Sequence, residues 1–220
     1  YEVWRIETAD TSGGMLPYTS IAVDSNSYPR ISYSNTNLKY AWAEIVGDDI
    51  NFTWHTETVD TNVGECTSLA IGGDDIPRIS YYDTSGGDLE YAYKNGSWNK
   101  ETVESSGDVG EYNSIAVDSA NKPHISYYDT SGDDLKYAYY DGSWHTETVE
   151  SSGDVGKYNA IALDSANKPH ISYYDASGGN LKYAYYDGSW HIETVESGGD
   201  VGWYTSIAVD SSNKPHISYG

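Results

Sequence analysis

The sequence predicts an all-β protein built from repeated four-stranded antiparallel units, and three observations predict it. The stretch 122–156, KPHISYYDTSGDDLKYAYYDGSWHTETVESSGDVG, returns almost unchanged at 168–202. Self-similarity at a fixed period settles the architecture before any local reading. One tryptophan marks each unit, at Trp4, Trp54, Trp98, Trp144 and Trp190, and 144 − 98 and 190 − 144 both equal 46. An Ile-Ser-Tyr triplet keeps the same count from Ile31, Ile79, Ile125, Ile171 and Ile217. No segment of useful length has helical periodicity.

One unit shows how the strands are specified. Ser114–Asp118, His124–Asp129, Leu135–Tyr140 and Trp144–Glu150 are short runs rich in Val, Ile, Thr, Tyr and Trp. They are fenced by Asn121-Lys122-Pro123, Thr130-Ser131-Gly132, Asp141-Gly142 and the longer 151–156. Such runs, separated by turn residues, are strands joined by hairpins. Four strands in about 45 residues are the signature of a β-propeller blade. The strands are termed A to D from the axis outward. Leu135, Tyr137 and Tyr139 fall on one side of strand C, and Ala138 and Tyr140 on the other. Apolar residues on both sides suit a blade packed between two neighbours.

In chain order, residues 1–9 align with strand D of a closing blade. Blade 1 is expected at 20–60, blade 2 at 68–104, blade 3 at 114–150 and blade 4 at 160–196. Residues 206–220 then supply strands A and B of the closing blade. The expectation is a five-bladed propeller whose ring is closed by both termini, a device that removes open edges. The equivalent of 129–140, strand C of the closing blade, is absent. Either the chain has lost it, or another chain supplies it in an oligomer, or the ring is larger.

Composition narrows the function classes. The net charge is −22, from 12 Lys and Arg against 34 Asp and Glu. That opposes nucleic-acid binding and docking on anionic membranes, and it favours attraction of cations. No stretch is apolar enough to insert as a membrane span. The single cysteine, Cys66, excludes an intrachain disulfide. Tyrosine dominates the aromatics, 23 against one Phe. Rings can fill the wedge between blades while a hydroxyl reaches loops or water.

The wording PHISYYD, LKYAYYDGSW and SIAVDSANKP resembles a family of propeller repeats in bacterial and archaeal secreted or surface proteins. It is loosely similar to the Asp-box repeats of bacterial-neuraminidase propellers. The Asp-box pattern S-x-D-x-G-x-x-W is absent, and Asp141-Gly142-Ser143-Trp144 takes a comparable but shorter hairpin. The resemblance implies a propeller across the whole chain and an extracellular or cell-surface location. It implies no particular activity, since one fold hosts many functions.

The D-to-A and B-to-C loops of a propeller share one face. There Tyr18, Cys66, Tyr112, Tyr158 and Tyr204 occupy one repeated position, and Trp203 breaks the repeat just before the last. The expected ligand-binding set is Tyr18, Tyr112, Tyr158, Trp203 and Tyr204 with Asp108, Asp154 and Asp200. Aromatic faces suit sugar C–H groups, and fixed carboxylates suit hydroxyls. The competing reading is that these tyrosines plug the seams between blades. Asp129, Asp133 and Asp134 form a candidate metal set, because calcium takes several carboxylate oxygens on a loop. Their spacing matches no strict calcium motif, and Asp-Gly turns are ordinary hairpin chemistry. No cofactor is expected, calcium being the one the loops allow. His124, His170 and His216 open strand B in successive blades, where they suit packing.

Catalysis needs residues of different roles held in one place. Near-identical blades instead offer equivalent residues in each unit. A sialidase-like arginine cluster would draw on Arg5, Arg30 and Arg78, whose repeat positions do not converge. The expected function is therefore a non-catalytic extracellular binding module, with multivalent, lectin-like glycan binding first. A structural or protein-interaction propeller is the alternative, and a glycan-active enzyme is third.

Overall fold

The computed structural model describes residues 6–14, 16–45 and 52–220. Blade 1 comprises β1 (Thr19–Val23), β2 (Pro29–Ser34), β3 (Asn37–Ile45) and β4 (Phe52–Thr61), hydrogen-bonded in that order. Blade 2 repeats this with β5 (Glu65–Ile71), β6 (Pro77–Asp83), β7 (Asp88–Asn95) and β8 (Ser97–Glu104). Blade 3 has β9 (Val109–Val117), β10 (Pro123–Asp129), β11 (Asp134–Tyr140) and β12 (Trp144–Glu150). Blade 4 has β13 (Val155–Leu163), β14 (Pro169–Asp175), β15 (Asn180–Tyr186) and β16 (Trp190–Glu196). Among the described residues, β17 (Ser206–Val209) and β18 (Pro215–Ser218) pair only with each other.

The inner strands pack in succession: β1 on β5, β5 on β9, β9 on β13 and β13 on β17. Three cores form, one at each seam between full blades. Leu38, Val59, Ile79 and Tyr81 fill the first, Leu89, Val103, Ile125 and Tyr127 the second, and Leu135, Val149, Ile171 and Tyr173 the third. A blade buries both faces, so β14 is buried along its whole length rather than on alternate residues. Burying each large side chain contributes about 1.5–3 kcal/mol.

Local chemistry fixes the turns. Asp118 ends β9 and its Oδ1 accepts from the N–H of Ala120 at 2.8 Å and of Lys122 at 2.7 Å. Asp164 and Asp210 repeat the arrangement. An aspartate that satisfies backbone donors two and four residues on turns the chain from strand A to B. The glycine of each Asp-Val-Gly enters the inner strand at positive φ, 109° at Gly110 and 108° at Gly156. A Cβ there would lie 2.9 Å from Leu89 Cα or 2.8 Å from Leu135 Cα. Only glycine lets the inner strand approach strand C of the previous blade this closely.

The expected five-bladed ring with closure by both termini is corrected. Four full blades and a two-stranded fifth are present among the described residues. Of the expected closing strand at 1–9, residues 1–5 lie outside the described residues, and 6–9 join no ladder. Instead Trp54 Nε1 donates to Glu7 Oε2 at 2.9 Å and Tyr33 Oη to Asp10 Oδ2 at 2.6 Å. These are the bonds that each blade makes to the outer strand of the one before it, as in Trp98 to Glu57 and Tyr81 to Asp60. The N-terminal segment therefore docks on blade 1, and β17 docks on blade 4. Among the described residues no strand joins the two. Ile21, on β1, stays 65% exposed, whereas its repeat equivalents Leu69, Ile115 and Ile161 are buried. The inner strands of blades 2 to 4 also begin earlier than expected, at Glu65, Val109 and Val155. In blades 3 and 4 the Val-Gly of each Gly-Asp-Val-Gly loop already belongs to the strand.

Candidate functional site

The inner strands bring the repeated aromatic position together. Tyr18, Cys66, Tyr112, Tyr158 and Tyr204 line one cavity of about 460 Å³, with Pro17, Asn113 and Asn159. Neighbouring rings touch, at 4.6 Å between Tyr112 and Tyr158 and 4.5 Å between Tyr158 and Tyr204. Cys66, Tyr112, Tyr158 and Tyr204 all have positive φ, from 49° to 53°. Side chains larger than glycine are strained there. The strain falls where the ladder slips a residue between β9 and β10 and between β13 and β14.

Buried amides hold the turn: Asn113 Nδ2 donates to Cys66 O at 2.5 Å and Gly110 O at 2.8 Å, and Ser80 Oγ donates to Asn113 Oδ1. Burial pushes the Cys66 thiol up to about 11. Burial, with the neighbouring Cys66, pushes the Tyr18 phenol up to about 12. Neither is a nucleophile at neutral pH.

The three candidate aspartates serve the seams. Asp108 accepts from Tyr82 Oη at 2.6 Å, Asp154 from Tyr128 Oη at 2.9 Å and Asp200 from Tyr174 Oη at 2.5 Å. Asp154 also pairs with Lys157, and Asp200 accepts from Trp203 Nε1 at 3.2 Å. Trp203 stacks obliquely on Tyr158 and Tyr174, with centroids 5.1 and 4.9 Å away. So Trp203 joins the aromatic cluster, while the aspartates face a tyrosine rather than an open cavity.

The metal expectation at Asp129, Asp133 and Asp134 is not supported by the geometry. Among the described residues no group of three or more His, Cys, Asp or Glu is placed to hold a metal ion. Asp129 Oδ1 accepts from the N–H of Ser131 and Gly132, and its Oδ2 faces Lys136 Nζ at 3.8 Å. Asp133 shares the single Tyr128 Oη proton with Asp154, at 2.7 Å. Burial and the Asp129 charge raise the Asp134 carboxyl. The turn and Lys136 thus occupy Asp129, and the tyrosine hydroxyl occupies Asp133.

A second kind of cavity opens on the opposite face, at the seams. Between blades 3 and 4 lies one of about 390 Å³, floored by His124, Tyr137, Tyr139 and Glu147. Lys168, Pro169, Tyr186 and Asp187 of blade 4 form its rim. Between blades 2 and 3 lies one of about 280 Å³, with Arg78, Tyr91, Tyr93 and Glu101 below and Lys122, Pro123, Tyr140 and Asp141 above. Each residue of one cavity has its repeat equivalent in the other. The ring pairs Tyr91–Tyr93 and Tyr137–Tyr139 are stacked at 5.7 Å. His124 Nδ1 bonds the hydroxyl of Tyr137, and burial lowers its imidazole pKa. Arg78 is larger and is clamped by Asp74 at 2.7 Å, which leaves its cavity smaller.

Sequence reasoning passed over these seam residues. The signal was present: Trp-x-x-Glu in every strand D, and aromatics two apart on one side of every strand C, Tyr40 and Trp42 in blade 1 and tyrosine pairs in the others. What hid it was that the cavity joins strands of one blade to loops of the next, a pairing that only the stacking of blades creates.

No protein-family model and no curated protein matches the sequence. Solved structures do match in fold. The SapL1 lectin in complex with alpha-methyl fucoside superposes with a TM-score of 0.62 at 13% identity, over 94% of this chain and 73% of that one. The Aleuria aurantia fungal lectin, described as a six-bladed β-propeller with fucose recognition, gives 0.61 at 16% identity, over 92% and 74%. A polysaccharide lyase, an ulvan lyase bound to a glucuronic acid–sulfated rhamnose unit, gives 0.60 at 12%, over 86% and 60%. At such identities the likeness is one of fold, and the chain is a β-propeller arc of four-stranded blades.

Proposed function

We propose that this chain is a non-catalytic, multivalent glycan-binding module of an extracellular or cell-surface protein, with its sites at the seams between blades. One observation carries the reading: cavities of about 280 and 390 Å³ recur at successive seams with equivalent linings. Each offers a stacked tyrosine pair, a glutamate, and a basic or imidazole group. That combination fits a sugar ring, which presents C–H groups on one face and hydroxyls at its edge. Weak equivalent sites add up through avidity. Fucoside-binding among the lectins of like fold favours the same ligand class. The charge of −22 suits an exposed, soluble surface.

Binding without catalysis is favoured by the same equivalence. Arg30 and Arg78 are each tied to an aspartate of their own blade, Asp24 and Asp74, so no arginine cluster forms around one carboxylate among the described residues.

The axial cavity is the second reading, favoured by Tyr204, which is 75% exposed beside Trp203. A glycan array, run with calcium and again with chelator, tests the class. Tyr93→Ala with Tyr139→Ala tests the seams, and Trp203→Ala with Tyr204→Ala tests the axis. Hits lost only in the first pair support the seam reading, and hits lost only in the second move the site to the axis. Hits that vanish with chelator would restore a calcium role. A blank array in both conditions leaves a structural or protein-binding propeller.

A further inference from the structure

The first seam contains what the other two lack. Lys94 of blade 2 reaches across it. Its Nζ lies 2.5 Å from Glu57 Oε1 and 4.8 Å from the centroid of Trp42, both of blade 1. A carboxylate and an aromatic face together form a socket for an ammonium group. The repeat assigns the equivalents at the other seams. Glu57 corresponds to Glu101 and Glu147, Trp42 to Tyr93 and Tyr139, and Lys94 to Tyr140 and Tyr186. Tyr140 and Tyr186 supply no cation, and each packs edge-on against a tryptophan, Trp144 at 5.4 Å and Trp190 at 5.5 Å. Their glutamates still accept from the seam tryptophan, Glu101 from Trp144 at 2.9 Å and Glu147 from Trp190 at 3.0 Å. At these two seams the cavities are open.

We infer that the seams between blades 2 and 3 and between blades 3 and 4 are ammonium sockets, which take the free amine of an amino-sugar residue where the first seam takes its own Lys94. The inference rests on the seams being the glycan sites. Basic groups nearby do not fill the socket. Arg78 is held by Asp74, as Arg30 is held by Asp24 in the seam that does accept Lys94. Lys122 and Lys168 line the rims, and neither forms an ion pair with Glu101 or Glu147. The net charge of −22 draws a cationic ligand toward the molecule.

The test is calorimetric titration with a glucosamine oligomer, its N-acetylated counterpart of the same length, and a neutral fucoside. The glucosamine oligomer is expected to bind at least about tenfold more tightly than the acetylated one, a step of about 1.4 kcal/mol. The double variant Glu101→Gln, Glu147→Gln keeps an acceptor for both tryptophans and is expected to abolish that preference. A second double variant, Tyr140→Lys with Tyr186→Lys, is expected to plug both sockets as Lys94 plugs the first. Equal binding of free and acetylated oligomers, lost on Tyr139→Ala, would overturn the ammonium inference and keep the seam reading. No binding of any probe would overturn both. Amine-selective binding untouched by either double variant would move the socket elsewhere and also overturn the inference.

Discussion

Trp144 Nε1 donates to Glu101 Oε2 at 2.9 Å, joining the outer strand of blade 3 to the outer strand of blade 2. The same bond runs from Trp98 to Glu57, from Trp190 to Glu147 and from Trp54 to Glu7. The indoles of Trp98, Trp144 and Trp190 also meet the edge of a strand C aromatic, as Trp144 does Tyr91 at 5.1 Å. The repeat tryptophan is therefore a clasp between blades. Trp144→Phe keeps most of the ring and removes the donor. A loss of about 1–2 kcal/mol is expected from one charge-assisted hydrogen bond, read by urea denaturation. An unchanged midpoint would show that the clasp contributes packing alone.

Gly156→Ala is expected to be far costlier than an exposed glycine substitution. The new Cβ meets Leu135 backbone and side chain at 2.8 to 2.9 Å, at a φ of 108°. Gly142→Ala places a Cβ in open space, although at a φ of 133°. Thermal melts of the two variants should separate by several degrees, Gly156→Ala melting lower. Equal melts would mean that blade 4 shifts outward at no cost.

Leu135 is fully buried between blades 3 and 4. Leu135→Ala should cost about 2–5 kcal/mol through lost burial and the cavity left behind. The check is a guanidinium titration against the parent chain. A cost below about 1 kcal/mol would indicate that the seam collapses around the gap.

Burial lowers the pKa of both His124 and His170 below the ordinary histidine value, against the opposing pull of Asp118 and Asp164. The folded chain therefore holds these imidazoles neutral, while the unfolded chain protonates them at about 6.5. Stability is full above that value and is lost as the pH falls through it toward the depressed folded values. The melting temperature should drop between pH 7.5 and 5.5. Substituting both histidines with Asn should flatten that slope, whatever it does to the melt at pH 7.5. A slope that survives the double substitution would assign it to other groups.

Cys66 sits in the axial cavity with its thiol pushed up to about 11 by burial. It should react with a disulfide reagent at pH 8 much more slowly in the folded chain than in urea, since the thiolate is the reactive form. Equal rates would place the thiol in open solvent.

The strands were legible because each is set by local chemistry. An Asx turn at Asp118 and a glycine at Gly142 punctuate runs of β-branched and aromatic residues. The gathering of Tyr112, Tyr158 and Tyr204 was legible too, since one position in every inner strand must face one axis. Ring closure by both termini was not, because it depends on long-range pairing in the last blade, where β17 and β18 are the only paired strands among the described residues. The aspartates misled for a related reason. Asp154 sits in a loop rich in glycine and serine, yet besides nearby Lys157 it bonds Tyr128, 26 positions away. Only blade stacking brings the two together.

Because one blade supplies the tyrosine floor and the glutamate while the next supplies the rim, no blade holds a seam cavity alone. The repeated stretch of sequence and the cavity are thus out of phase. Copying one 46-residue stretch, the interval from Trp144 to Trp190, adds a floor at one end and a rim at the other. It creates one whole new cavity without any residue changing. Blades 3 and 4 read as the product of such a copying, and the number of seam cavities in a chain of this kind can grow by duplication alone.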